Sequence, residues 1–375
     1  MNKLEEDKKI VILSNNIKIT KDNFVKNGYE SINETLKQAI LSENLMVLTG
    51  AGSSIGEEIA GKTMKQLWEV VKKNVGETEF KTITDSVSYK DSNLEELLSR
   101  LQIDVKYKRF SNQLFKVGEE KINKIEEIIK KECTFDLPED FPHTGFLKKI
   151  INAQKKITPR IKIFTLNYDT CFEQAADEIG AVIIDGFSFS QSNSFKTSNF
   201  DLDIVYREQT RIHNEENFYH NVFHLYKIHG SVNWEEDKNG KIYKRKSPDK
   251  PLLIYPNSSK YENSYQMPFM EMISRFQVAL RTQNTVLFII GYGFGDNHIN
   301  NILEEAIKSN TGLQVFVVGP TACDVNSKTS FHEKLIQFAE THYGVTLISD
   351  DFEGFSNGLP DTTFLNIEDE KDFNY

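Results

Sequence analysis

Residues 45–54, LMVLTGAGSS, constrain the fold of this chain more than any other segment. The apolar run predicts a buried strand, and the glycines after it predict a tight turn at the end of that strand. Because Gly50 and Gly52 carry no Cβ, backbone N–H groups in such a turn can approach a phosphate closely. The pattern is typical of α/β proteins that bind a ligand at the carboxyl end of a strand.

Three later segments also join an apolar strand to a polar loop, namely FTLNYD (164–169), YKIHGS (226–231) and IIGYGFGDNHIN (289–300). Strand patterns recur at 161–166, 181–185, 223–228, 285–290, 313–318 and 345–348, with helical patterns between most of them. This alternation predicts a doubly wound, mostly parallel, Rossmann-like sheet. The four loops would then gather at one edge of the sheet, and a single nucleotide site is the simplest account of them.

The stretch 62–157 has helical periodicity throughout and contains no strong strand pattern. We interpret it as an insertion or cap of roughly four helices within a nucleotide-binding domain that spans 44–350. Residues 1–43 are interpreted as an N-terminal arm with a first helix, and residues 351–375 as an acidic tail.

Charge and composition exclude several classes of protein. The net charge of the 375 residues is −10, which argues against nucleic-acid binding through bulk charge. The longest apolar stretch, 285–290, is too short to cross a bilayer, and the N-terminus lacks the apolar core of a signal peptide. We therefore expect a cytoplasmic protein that uses neither a membrane nor direct nucleic-acid contacts.

Metal binding is not expected. The three cysteines are isolated from one another, so neither a disulfide framework nor a zinc ribbon is indicated. His213, His220 and His224 lie close together in the sequence, but no carboxylate or cysteine joins them at ligand spacing.

The polar residues at the strand ends have two interpretations each. Asn167 and Asp169 are common turn residues, but they could also fix a water or ribose hydroxyl and accept a carboxamide N–H, respectively. His229 is either structural or a base that accepts a proton from a ribose hydroxyl. Asp296 or Asn297 would be an ordinary helix N-cap. The glycines around it, Gly291 and Gly293 included, exceed what a cap requires and indicate close approach to a ligand.

Taken together and in this order, TGAGSS, TLNYD, HGS and GYGFGDNHI resemble the motifs of the sirtuin family. The variants Asn-Tyr-Asp and Gly-Tyr-Gly-Phe-x-Asp are most similar to the bacterial branch found in antiphage defence, some members of which work beside a HerA-type hexameric ATPase. The resemblance implies NAD as the ligand, with Asn167 and His229 as catalytic residues. It also implies a set of residues that contact NAD: Gly50, Ala51, Gly52, Ser53, Asp169, Gly291, Gly293 and Asp296.

Two departures from the family pattern bear on the reaction. Sirtuin deacylases carry a four-cysteine zinc module after the His-Gly motif, and this chain has no cysteine there. The Gly-Ile-Pro-x-Phe-Arg continuation of the first loop is also replaced, by IGEEIAGKT. We therefore predict an NAD glycohydrolase that uses NAD as substrate and needs no metal. We expect a homo-oligomer that a partner regulates. The alternatives are a protein deacylase or ADP-ribosyltransferase on the same fold, and a non-catalytic subunit that senses NAD or ADP-ribose.

Overall fold

The structure is a computed structural model, and it describes residues 10–15, 17–23, 28–56, 60–107, 112–154, 159–206, 218–255, 268–324, 329–341 and 343–362. His213 and parts of the predicted arm and acidic tail lie outside these residues. Within the described part of the chain, no helix combines the length and the apolar character needed to cross a membrane.

The strands are β1 (Ile10–Ser14), β2 (Ile17–Thr20), β3 (Asn44–Thr49), β4 (Lys162–Thr165), β5 (Val182–Ile184), β6 (Val222–Lys227), β7 (Gly230–Ser231), β8 (Trp234–Glu236), β9 (Ile242–Lys244), β10 (Leu252–Leu253), β11 (Thr285–Ile290), β12 (Leu313–Val318) and β13 (Val345–Ile348). The α-helices are α1 (Asn33–Ile40), α2 (Met64–Val75), α3 (Glu77–Ser86), α4 (Leu94–Tyr107), α5 (Asn112–Glu132), α6 (Pro142–Ala153), α7 (Cys171–Ile179), α8 (Phe269–Leu280), α9 (Asn297–Ser309), α10 (Ser330–Ala339) and α11 (Phe352–Gly358).

The main sheet has the strand order β2-β1-β13-β12-β11-β3-β4-β6-β5. From β13 to β5 all neighbouring strands are parallel, whereas β1 and β2 pair in the antiparallel direction at one edge. The sequence TVLFII of β11 is buried throughout, as a strand with helices on both faces requires. The predicted doubly wound, mostly parallel sheet is therefore confirmed.

Side chains that alternate along the strands divide the interior into two cores. Met46 and Leu48 of β3 lie in a core that is completed by α8, α9 and α10. Leu45 and Val47 of the same strand lie in the core on the other face, with α1, α6, α7 and α11. Both faces of the sheet are thus closed by helices, and the polar loops lie at the strand ends.

The chain reverses its direction of winding at β3. After β3 it adds β4, β6 and β5 on one side, and it later adds β11, β12 and β13 on the other. The carboxyl ends of β3 and β11 therefore border the switch point of the sheet, where α/β proteins of this type bind ligands. This topology places the loop after Thr49 beside the loop after Ile290.

Four helices, α2 to α5, form most of a third core, to which residues from the strand-end loops also contribute, and we call these helices the cap helices. A capping box at Thr63 and Gln66 begins α2, and Trp68 packs edge-on against Phe80 at 4.9 Å between ring centroids. The sequence predicted roughly four helices in 62–157, whereas the described residues of that segment form five. The fifth, α6, packs on the sheet rather than with the cap helices.

Candidate functional site

The first loop follows β3 as a short 3-10 turn, Ala51–Ser54. The N–H of Gly50 donates to the carbonyl of Ile290 at 3.0 Å, and the N–H of Gly52 donates to the carbonyl of Gly291 at 2.8 Å. A Cβ on Gly52 would lie 2.8 Å from the Cα of Gly291. The two glycines are thus needed for packing between the loops, a reason that is additional to the ligand approach predicted from the sequence.

Gly52→Ala should lower the free energy of unfolding by about 1–3 kcal/mol, because its Cβ meets backbone that has no room to move. Gly293→Ala is a matched control. Neither glycine has a φ in the left-handed region, and no described atom lies within 4 Å of a Cβ built on Gly293. Urea unfolding of both variants tests this. Equal stabilities of the two variants would contradict it.

The amide of Asn167 holds the first loop. Its Nδ2 donates to the carbonyl of Gly50 at 3.0 Å and to the hydroxyls of Ser54 at 2.9 Å and Ser53 at 3.2 Å. Because a carbonyl can only accept, this contact fixes which end of the amide faces the loop. Its Oδ1 accepts no hydrogen bond from any described residue, so an acceptor is left for a water or a hydroxyl.

Asp169 links the first loop to α7. Its Oδ2 accepts a hydrogen bond from the Ser54 hydroxyl at 2.8 Å, and its Oδ1 accepts one from the N–H of Cys171 at 3.1 Å. Burial raises the pKa of the Cys171 thiol well above its usual value, which disfavours the reactive thiolate at neutral pH. Asp169 therefore has a structural task in addition to any contact with a ligand.

His229 follows β6 and is buried between two carboxylates. Its Nε2 lies 3.3 Å from Oδ2 of Asp296, and its Nδ1 lies 3.7 Å from Oε1 of Glu95. Burial by itself lowers the pKa of His229, but the two carboxylates outweigh burial and raise the pKa to about 9. The two carboxylates thus favour the imidazolium form of His229, whereas the base that the sequence predicted requires the neutral form.

Asp296 combines the two interpretations that the sequence left open. Its Oδ1 caps α9 by accepting from the N–H of His298 at 2.8 Å, while its Oδ2 faces His229. Burial raises the pKa of Asp296, but the contacts with His229 and the N–H of His298 outweigh burial and lower it below the usual value. The N-cap residue of α9 is therefore also one of the two carboxylates that flank His229.

Glu95 and Tyr168 were not predicted as site residues. Glu95 belongs to α4, one of the cap helices, and its Oε1 accepts a hydrogen bond from the Tyr168 hydroxyl at 2.8 Å. In the sequence, Glu95 precedes Glu96 near the start of a helix, where two acidic residues are typical of an exposed first turn. The only signal was Tyr168 itself, a large aromatic residue between two predicted site residues.

The structure brings the predicted residues together at the switch point of the sheet through direct contacts. Asn167 contacts Gly50 and Ser53, a Cβ on Gly291 would lie 2.3 Å from the Ser53 nitrogen, and His229 contacts Asp296. Ala51 begins the 3-10 turn between them. Gly293 is exposed in the last loop.

The described residues contain no group of three or more histidine, cysteine or acidic side chains arranged to hold a metal. Of the histidines weighed as ligands, His224 bonds through Nδ1 to the Tyr226 hydroxyl at 2.9 Å. Burial lowers the pKa of His224 to about 4.

Comparison with known proteins gives one family match. Residues 161–339, slightly less than half of the chain, match the model of the SIR2-like domain. No curated protein matches the chain. Among solved structures, a mutant Sir2 homologue in complex with ADP-ribose is 11% identical with a TM-score of 0.43, over 91% of this chain and 98% of that one. A structure described as the basis for the mechanism and regulation of Sir2 enzymes is 11% identical with a TM-score of 0.39, over 90% of this chain and 99% of that one.

The matched segment contains three of the four loops, those with Asn167, His229 and Asp296, whereas the glycine turn at 50–54 precedes it. Hydrogen bonds from Asn167 and to Gly291 join that turn to two of the matched loops. Over residues 161–339, the chain is similar to the SIR2-like domain family.

Proposed function

We propose that this protein is an NAD glycohydrolase, which uses water to cleave NAD into nicotinamide and ADP-ribose. The observation that carries the proposal is the convergence of four polar loops at the switch point of the sheet, with Asn167, His229 and Asp296 buried among them. Sheets of this type bind ligands in that crevice. The similarity of residues 161–339 to the SIR2-like domain supports NAD as the ligand.

Each loop has a task in this proposal. The turn formed by Gly50, Ala51, Gly52 and Ser53 holds the diphosphate, and Asp169 holds the nicotinamide amide. Gly291, Gly293 and Asp296 border the ribose. Asn167 orients the attacking water, a role that its available Oδ1 supports. The departing nicotinamide leaves without strong acid help because it is cationic in NAD, so orientation of water and ribose is the main contribution to the rate.

His229 acts in its neutral form as the base that takes a proton from a ribose hydroxyl or from the water. With a pKa of about 9, only about 1% of the molecules hold the neutral form at pH 7. In this proposal the chain alone turns over NAD slowly at neutral pH, because little of the base is in its neutral form. An enzyme that destroys NAD needs such an inactive state in a living cell.

The biological role that fits this chemistry is that of an effector that depletes NAD in bacterial antiphage defence, in the cytoplasm. The resemblance of the Asn-Tyr-Asp and Gly-Tyr-Gly-Phe-x-Asp variants to that branch supports it. In the proposal the chain forms a closed homo-oligomer, the usual assembly of identical chains. A HerA-type hexameric ATPase is the partner that activates it.

The decisive experiment incubates the purified full chain with NAD, alone and with the product of a neighbouring gene, and follows nicotinamide and ADP-ribose by chromatography. We expect equimolar release of both products without added peptide and without added metal. Turnover that requires an acylated peptide and yields O-acyl-ADP-ribose would favour a deacylase. NAD binding without turnover in every assembly would favour a sensing subunit. Either result would overturn the proposal.

A further inference from the structure

Glu95 connects the cap helices to His229. Its carboxylate is the only group from the described part of the cap helices that pairs with His229, and its side chain is 16% exposed. The Nδ1 atom of His229 makes no hydrogen bond within the described part of the chain, so the approach of Glu95 is the interaction on that side of the ring. On the other side, Asp296 of the α9 N-terminus faces Nε2.

The loops of the site also contribute residues to the core of the cap helices. Tyr168, Val232, Leu253 and Tyr255 pack in that core with α2 to α5. The hydroxyl of Tyr168 donates to Glu95 at 2.8 Å. The segment after Leu253 is tied directly to His229, whose carbonyl accepts a hydrogen bond from the N–H of Ile254 at 2.8 Å.

We propose that Glu95 is a positioning residue that clamps the His229 ring from the side opposite Asp296, so that the cap helices govern whether the His229 ring is protonated. Among the described residues, the charged groups that face His229 are Glu95 from α4 and Asp296 from α9. Withdrawal of Glu95 leaves the imidazolium with one carboxylate instead of two. In a buried site, the loss of one opposite charge makes the neutral ring easier to form.

This clamp deepens the proposed function, on which its catalytic meaning rests. A partner that docks on the cap helices and moves α4 would pull Glu95 away and increase the neutral fraction of His229 at neutral pH, about tenfold for each unit by which its pKa falls. Binding of the partner at the cap helices would then affect His229 through the position of the Glu95 carboxylate.

The test compares Glu95→Gln with Glu96→Gln in the full chain. Glutamine keeps the length of Glu95 and an oxygen for Tyr168, but it removes the charge. Glu96 is the adjacent residue on α4, and it pairs instead with Arg100 at 2.7 Å. The protein is labelled with ¹³C at histidine Cε1, and the His229 signal among the eight histidines is assigned by its loss in His229→Gln. The midpoint of its titration is then measured by NMR.

We expect the midpoint of His229 to fall by about one pH unit or more in Glu95→Gln and to stay unchanged in Glu96→Gln. If Glu95→Gln does not fold, Glu95→Asp is used instead. It keeps the charge but moves it away from His229 by the length of one methylene, and the midpoint of His229 should fall by a smaller amount. A midpoint in both Glu95 variants within about 0.3 unit of the wild type would overturn the inference.

The outcome is separable from that of the proposed function, because the titration needs no substrate. If NAD is hydrolysed, the pH profile of kcat/KM should move to lower pH in Glu95→Gln by the same amount as the titration. A shifted titration with no NAD turnover in any variant would remove the glycohydrolase and keep the clamp. Normal turnover with an unshifted titration would remove the clamp and keep the glycohydrolase.

Discussion

Replacement of His229 by glutamine should lower NAD hydrolysis by about two to four orders of magnitude. The side chain is buried at the end of β6, and both of its ring nitrogens face carboxylates. Glutamine fills similar space and can donate from its amide to Asp296, but it cannot accept a proton. The loss should therefore appear in kcat, since the step that needs a base is the chemical one.

The control is His224→Gln. His224 lies on β6, the strand that leads into the loop with His229. His224 contacts the Tyr226 hydroxyl, a bond that glutamine can also make, and turnover should stay within about threefold of the wild type. The wild-type rate should also rise with pH up to about 9, because the pKa of His229 is raised to that value. A His229→Gln variant that folds and keeps full turnover would exclude His229 from the mechanism.

His229→Gln also removes a cation from between two carboxylates, so stability has to be measured beside the rate. Because the pKa of His229 is raised from 6.5 to about 9, its contribution to the free energy of unfolding is fully present below pH 6.5. It is lost as the pH rises through 9. Rates of the variant should therefore be taken only at temperatures where circular dichroism shows a folded chain.

The alternating part of the fold could be predicted from sequence because local and tertiary preferences agree there. The predicted strand at 285–290, helix at 297–309 and strand at 313–318 are confirmed at the same bounds. β11 is a continuous apolar run, and Asp296 supplies a cap directly before the helix. Such start and stop signals determine element ends without knowledge of the rest of the chain.

The cap helices were harder to predict, for a physical reason. The sequence of α3, ETEFKTITDS, is rich in threonine, which lowers helix propensity. Burial of Phe80 and Ile83 in the core of the cap helices stabilises it as a helix instead. The role of Glu95 is also tertiary, since Glu95 is 134 positions before His229 and only the packing of α4 over the sheet brings the two together.

His143, which was not predicted to matter from the sequence, is expected to affect stability. His143 of α6 is fully buried among aromatic rings. It stacks on Phe141 at 4.3 Å between centroids, and it meets Phe172 at 4.7 Å and Phe352 at 4.8 Å edge-on. Neither ring nitrogen has a hydrogen-bond partner within the described part of the chain. Burial lowers the pKa of His143 from 6.5 to about 3.

We expect His143→Leu to stabilise the protein by about 1–3 kcal/mol at neutral pH, because leucine has a similar volume and leaves no buried polar atom unsatisfied. The gain should grow as the pH falls. Since the pKa of His143 is lower in the folded state, the unfolded chain takes up the proton first, and the wild type loses about 2 kcal/mol between pH 7 and pH 5 that the variant keeps.

The control is His332→Leu, which removes a 2.7 Å bond to the Ala322 carbonyl and should destabilise. Urea unfolding at both pH values measures all three proteins. A difference between His143→Leu and the wild type that does not change with pH would show that His143 takes up its proton equally well in the folded state.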